Sequence, residues 1–63
     1  MEEQENNSRS PKVDDIVRIS NPKSFLFEKK GKILCQTVEL RWEIYFEKYD
    51  ASWIYNLSDF EIL

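Results

Sequence analysis

The sequence predicts an all-β domain of five short strands behind an acidic N-terminal tail. Three observations lead there. Apolar residues recur at period two through several short windows, the spacing of a strand with one buried face. β-Branched and aromatic residues, which suit a pleated half-buried surface, fill those windows. Proline, asparagine, aspartate and serine separate them, as turns require. The chain has 63 residues, 41% of them apolar and 14% aromatic. That is one small domain with a thin stability margin, in which large rings supply much of the buried area.

Residues 1–11 hold Glu2, Glu3, Glu5 and Arg9 among Gln, Asn and Ser, with no apolar residue between Met1 and Pro11. They read as a disordered tail, leaving residues 12–63 as the folded domain. Val13 to Ile19 is the first strand, with Val13, Val17 and Ile19 on one face and Ile16 and Arg18 on the other. Asn21-Pro22 ends it, because proline has no ladder donor. A connection from Asn21 to Lys32 follows, and its Ser24-Phe25-Leu26-Phe27 stretch is expected to pack its aromatics back onto the sheet. Gly31, the only glycine, is read as the position needing positive φ at the turn into the next strand.

Lys32 to Val38 is the second strand, with Ile33 and Cys35 on one face and Leu34 and Val38 on the other. A turn near Glu39-Leu40 leads into Arg41 to Glu47, where Trp42, Ile44 and Phe46 alternate with Glu43, Tyr45 and Glu47. Tyr49-Asp50-Ala51 turns into Ser52 to Tyr55, which carries Trp53 and Tyr55 on one face. Asn56 to Asp59 reads as a single tight helical turn, since Asn, Ser and Asp favour caps and local side-chain bonds. Phe60 to Leu63 is the fifth strand. Five short strands, one long first loop and a late helical turn describe a small SH3-like barrel, a closure that hides strand edges.

Composition narrows the function classes. The net charge is −3, and the acidic tail carries most of it. The folded part is nearly neutral with mixed signs, whereas a nucleic-acid binder needs a net basic surface to displace counterions from phosphates. No apolar run approaches the roughly 18–20 residues that span a bilayer. The acidic start resembles neither a secretory signal nor a transit peptide. Any membrane association is therefore expected through protein partners.

The same residues argue against catalysis. Histidine, the commonest general base and metal ligand, is absent. Cys35 is the only cysteine; it sits in an apolar strand with no histidine to activate it, and is read as a packing residue. Asp14 and Asp15 are neighbours in a strand start and so face opposite ways, as solvated charges. A single glycine builds no phosphate-cradling loop. The expected protein is not an enzyme and has no cofactor or metal.

Two groups point instead to protein contacts. Arg18, Lys23, Lys29, Lys30 and Lys32 form a basic cluster, either a patch that steers an acidic partner or a solvated loop balanced by Glu28. Trp42, Tyr45, Trp53 and Tyr55 form an aromatic set, read as core plus rim, as a partner-facing surface, or as a cation-holding cage. Candidate docking residues are thus Arg18, Lys23, Lys29, Lys30, Lys32, Tyr45, Trp53 and Tyr55.

Residues 17–33, Val-Arg-Ile-Ser-Asn-Pro-Lys-Ser-Phe-Leu-Phe-Glu-Lys-Lys-Gly-Lys-Ile, resemble the start of PsaE, a small SH3-like subunit on the stromal or cytoplasmic face of photosystem I. That family carries Val-Arg-Ile, Pro, Ser, an aromatic, Phe and Gly at the same spacing. Phe46-Glu47-Lys48-Tyr49 resembles its Phe-Glu-Lys stretch, and Asn56 to Glu61 its C-terminal segment. The long Gly- and Asn-rich loop after Phe-Glu-Lys in that family has no counterpart here. Subunit O of the photosynthetic NAD(P)H dehydrogenase-like complex is also similar, through Phe25 to Ile33 and the Trp-containing end from Trp53 to Glu61. Both resemblances imply a non-catalytic accessory subunit on a thylakoid electron-transfer complex. They imply that it braces neighbouring subunits and, through the basic cluster, assists docking of ferredoxin or flavodoxin. The alternative is a soluble SH3-like adaptor that binds other proteins.

Overall fold

A computed structural model of the chain describes residues 10–63; residues 1–9 of the tail expected over 1–11 lie outside them. Five strands follow in order: β1 (Ile16–Ile19), β2 (Lys30–Val38), β3 (Arg41–Phe46), β4 (Ala51–Asn56) and β5 (Phe60–Ile62). A single 3-10 turn, Leu57–Asp59, precedes β5. All pairings are antiparallel, and the strand order is β4-β3-β2-β1-β5. The protein is therefore all-β, with its strands in one sheet. Pairing does not close β4 onto β5, so the fully closed barrel expected from the sequence is not formed, and these two strands are the edges.

Pleating sorts the side chains. Val17 and Ile19 of β1, Ile33 of β2, Ile44 and Phe46 of β3 and Phe60 of β5 point to one face and are buried. Leu26 from the β1–β2 loop covers them, and Trp42, Trp53, Tyr55 and Ile62 pack around the rim. Val13, expected on this face, is 59% exposed. Asp14 takes a φ of 76°, so the chain turns before β1 and the period-two reading breaks there. Pro11, assigned by sequence to the tail, is buried, and the folded part begins at least one residue before Lys12.

The first loop is wound from successive turns. Ser24 N–H donates to Asn21 C=O, Phe27 N–H to Ser24 C=O, and Lys29 N–H to Leu26 C=O, at 3.0, 3.0 and 2.8 Å. Glu28 N–H closes its base on Ile19 C=O at 2.7 Å. This winding aims Leu26 into the core, while Phe25, expected to pack back onto the sheet, lies against Trp53 of β4 with 67% of its surface exposed.

Gly31 also departs from its sequence reading. Its φ is not positive; the positive φ values belong to Asp14, Glu28, Leu40 and Asp50, at the turns. Gly31 sits inside β2 opposite Val17. A Cβ there would lie 2.6 Å from Ile44 Cγ2, 2.9 Å from Phe46 Cε2 and 2.9 Å from Tyr45 O. The residue is glycine so that β3 side chains can cross close over β2.

Irregularities in the β2–β3 register, between Ile33 and Cys35 and between Gln36 and Val38, insert extra residues into β2. Past the first, Cys35 lies opposite Glu43 on the outer face. Cys35 is consequently exposed, not packed with Ile33 as strict alternation predicts.

Glycine is thus needed at Gly31 for space, whereas Leu40 is a leucine held at a backbone angle that favours glycine, and substitutions at the two positions act differently. Gly31→Ala is expected to destabilise the domain by about 1–3 kcal/mol through overpacking. Leu40→Gly relieves a left-handed leucine and is expected to be neutral or stabilising by up to about 1 kcal/mol. Urea denaturation of the two variants checks both.

Candidate functional site

An aromatic ridge runs along the inner rim of β4. Trp53 lies opposite Ile44 and Tyr55 opposite Trp42 in the β3–β4 ladder, so period two places Trp42, Trp53 and Tyr55 on the core side. Phe46 packs under the ridge, its ring centroid 5.8 Å from Trp53 and 6.3 Å from Tyr55. The first loop reaches the ridge from outside. Phe25 meets Trp53 edge-to-face at 5.2 Å and Tyr49 at 6.5 Å, and Tyr49 meets Trp53 at 6.0 Å. Ser24 Oγ and Tyr55 Oη share a hydrogen bond of 2.6 Å.

These spacings decide between the aromatic readings. Edge-to-face contact at 5–7 Å means each ring already occupies the face of the next. A cation cage needs open faces within about 6 Å of the charge; here Phe25, Tyr49 and Trp53 fill one another. The cluster is nevertheless on the surface, with Phe25 67% and Tyr49 42% exposed. Lys48 Nζ stands 5.9 Å from the Tyr49 ring centroid at its margin. Trp42 Nε1 is buried with no hydrogen-bond partner among the described residues.

Tyr45 does not belong to this ridge. It points to the opposite face, where its hydroxyl donates to Asp50 Oδ1 at 2.7 Å. That bond, then partial desolvation and the charges of Asp50 and Glu47, hold its phenol above the ordinary value. Sequence reasoning did not include Phe25 and Tyr49 in the aromatic set, reading one as a loop aromatic packed on the sheet and the other as part of a turn. Tyr49 beside a turn and close in sequence to Trp53 was the signal available for one of them.

The basic residues are not gathered into one patch. Arg18 and Lys30 are direct partners across β1–β2, and Lys32 lies opposite Ile16 and Tyr45, so these three share the outer face. Arg18 is engaged by Glu61 on β5, with Nε 2.8 Å from Oε2, and Lys32 Nζ is 4.0 Å from Asp14 Oδ1. Lys23 and Lys29 lie in the first loop. Ile16, Lys30, Gly31, Lys32, Tyr45 and Glu47 line an open depression of about 460 Å³, whose two ammonium groups are offset by the glutamate and by Asp14. Such exposed pairs each contribute little and are screened by salt.

Elsewhere on the outer face, Cys35 Sγ donates to Glu43 Oε1 at 3.6 Å, and Ser52 Oγ donates to Glu43 Oε2 at 2.5 Å. Partial desolvation, then the hydrogen bond to Glu43 and its negative charge, push the thiol above its ordinary pKa. Among the described residues no cluster of acids and cysteine is arranged to hold a metal ion, and no helix is long and apolar enough to cross a membrane. No family model, curated protein or solved structure matches the chain.

Removing the Glu43 charge should lower the Cys35 pKa, because two of its three causes disappear. In Glu43→Gln the thiolate is expected to form at lower pH than in the wild type, and alkylation near pH ~8 to be faster. A pH series of alkylation rates reads the direction; an unchanged or upward midpoint contradicts it.

Proposed function

We propose that the chain is a non-catalytic accessory subunit that docks on a larger protein assembly through the Phe25–Tyr49–Trp53 cluster. The observation that carries this is the exposure of two rings in a three-ring contact built from three separate segments: the first loop, the β3–β4 turn and β4. Rigid, partly exposed aromatics bury large area at low conformational cost, which is the chemistry of interface anchors.

The finer fold reading is an SH3-like barrel. It is supported by the strand order β4-β3-β2-β1-β5, the long first connection and the 3-10 turn before the last strand. The owner of the subunit is proposed from the resemblance of residues 17–33 to PsaE and of Phe25 to Ile33 to subunit O. On that reading the assembly is a photosynthetic electron-transfer complex at the stromal or cytoplasmic face of the thylakoid, reached through protein partners alone. Bracing of neighbouring subunits falls to the aromatic cluster. Assistance to ferredoxin or flavodoxin has weaker support, since Arg18 and Lys32 already face Glu61 and Asp14.

Solubilised thylakoid membranes passed over the immobilised full chain are expected to yield photosystem I or dehydrogenase-complex subunits. Phe25→Ser and Tyr49→Ser should each weaken retention about 10-fold or more, as loss of an interface anchor does. Each also loses its edge-to-face contacts, so the thermal midpoints should fall by several degrees, and retention is compared at a temperature where circular dichroism shows both variants folded. Recovery of neither complex, or retention indifferent to both variants, would sink the proposal.

A further inference from the structure

The sequence treats the two edges of the sheet differently. β5 is three residues long, and Glu61 on it is held by Arg18; a short, charged edge offers little to an incoming strand. β4 is six residues, Ala-Ser-Trp-Ile-Tyr-Asn, with no charge, proline or glycine. Its ladder to β3 runs without a register shift. None of the usual devices that blunt an edge is present. Among the described residues, no backbone hydrogen bond outside the β3 ladder involves residues 51–56. Alternate β4 residues therefore turn their N–H and C=O groups outward, except at the end of the strand, where Asn56 N–H donates to Asp59 Oδ2 at 3.3 Å. Ile54, in the middle of the outer face, is 57% exposed.

We propose that β4 pairs antiparallel with β4 of a second copy of this chain, joining two sheets across a two-fold axis at Ile54. Same-face pairing about such an axis sets the register: Ile54 meets Ile54 of the second copy, Trp53 meets Tyr55, and Ser52 meets Asn56. Every opposed pair is compatible. Two β-branched residues meet on the outer face, two aromatic pairs form on the inner face, and polar residues oppose at the ends. No charge faces a charge across the new pairing; Glu43, beside Ile54 on β3, accepts from Ser52 and Cys35, and Asp50, beyond the paired span, accepts from Tyr45. This self-matching favours a second copy over a foreign strand, and it makes the interface isologous and closed, not fibrous. The inference is independent of the photosynthetic reading, since it needs no other protein.

The interface is small, so association is expected to be weak, with Kd on the order of 10–1000 µM. Sedimentation equilibrium of the full chain from ~10 µM to ~2 mM should show mass rising from monomer toward dimer across that range. Ile54→Lys and Ile54→Glu each set like charges opposite one another at the axis. Each alone should remain monomeric. Ile54→Lys faces Glu43 across the β3–β4 ladder and should keep its thermal midpoint near that of the wild type. Ile54→Glu meets a like charge there and should lower it by a few degrees while staying folded. Their equimolar mixture should associate again. Amide exchange at alternate β4 residues should slow as wild-type concentration rises. A wild type that stays monomeric at ~2 mM overturns the proposal and leaves the edge to a foreign strand. Dimers that persist in both single variants, a mixture that stays monomeric, or concentration-independent β4 exchange overturn it as well.

Discussion

Phe46 and Ile44 lie over Gly31, and the remainder of the domain is arranged around that close approach. Among the described residues the core is only seven hydrophobic side chains, so a gap or an extra methyl group at its centre is costly. Without a side chain at Gly31, β3 side chains settle directly over β2 and reach toward Val17 on β1. That lets one sheet bend enough for its two halves to share Phe46, while Leu26 closes the exposed side. The rim aromatics then stand on Phe46, so the geometry of the docking surface is inherited from the same contact.

Because the core is so small, the periphery carries structural work of its own. The first loop contributes Leu26 to the interior and Phe25 to the exterior from adjacent positions, with Ser24 fastened to Tyr55. A single loop thus supports the core and presents the ring proposed for docking. The opposite face is built differently: Arg18–Glu61, Lys32–Asp14, Tyr45–Asp50 and the Cys35–Glu43–Ser52 group pair off locally, leaving little net field. Two faces of one sheet are chemically distinct because pleating sends successive residues to opposite sides.

The strands were legible in the sequence because period two is a strong signal wherever the ladder is regular. β3 is the clearest instance, with Trp42, Ile44 and Phe46 on the core side. The helical turn at Asn56 to Asp59 follows from residue type, whereas the turn at Glu39-Leu40 has no turn dipeptide and follows only from the strands on either side. Where the ladder is irregular, periodicity misleads. The β2 bulge moved Cys35 to the solvent face, and the turn at Asp14 detached Val13 from the buried row. Gly31 was assigned a turn because glycine is usually needed for its backbone angle; its actual reason, a neighbour from β3, is non-local and has no sequence signature. The aromatic cluster was half visible. Trp53 and Tyr55 follow from strand spacing, but whether Phe25 or Leu26 turns inward depends on how the loop winds. The basic cluster looked continuous in one dimension, but folding sets Arg18 and Lys32 against separate acids and leaves Lys23 and Lys29 in the first loop.

Asp59 joins segments that are far apart in the chain. Its carboxylate accepts from the Asn21 side chain at 3.2 Å and from the Asn56 N–H at 3.3 Å, while its carbonyl accepts from Ser20 N–H at 2.8 Å. The start of the first loop, the exit from β4 and the entry to β5 therefore meet at one residue. Opening at that junction would release the loop and the C-terminal strand together, so this corner behaves as one cooperative unit and not as two independently fraying ends.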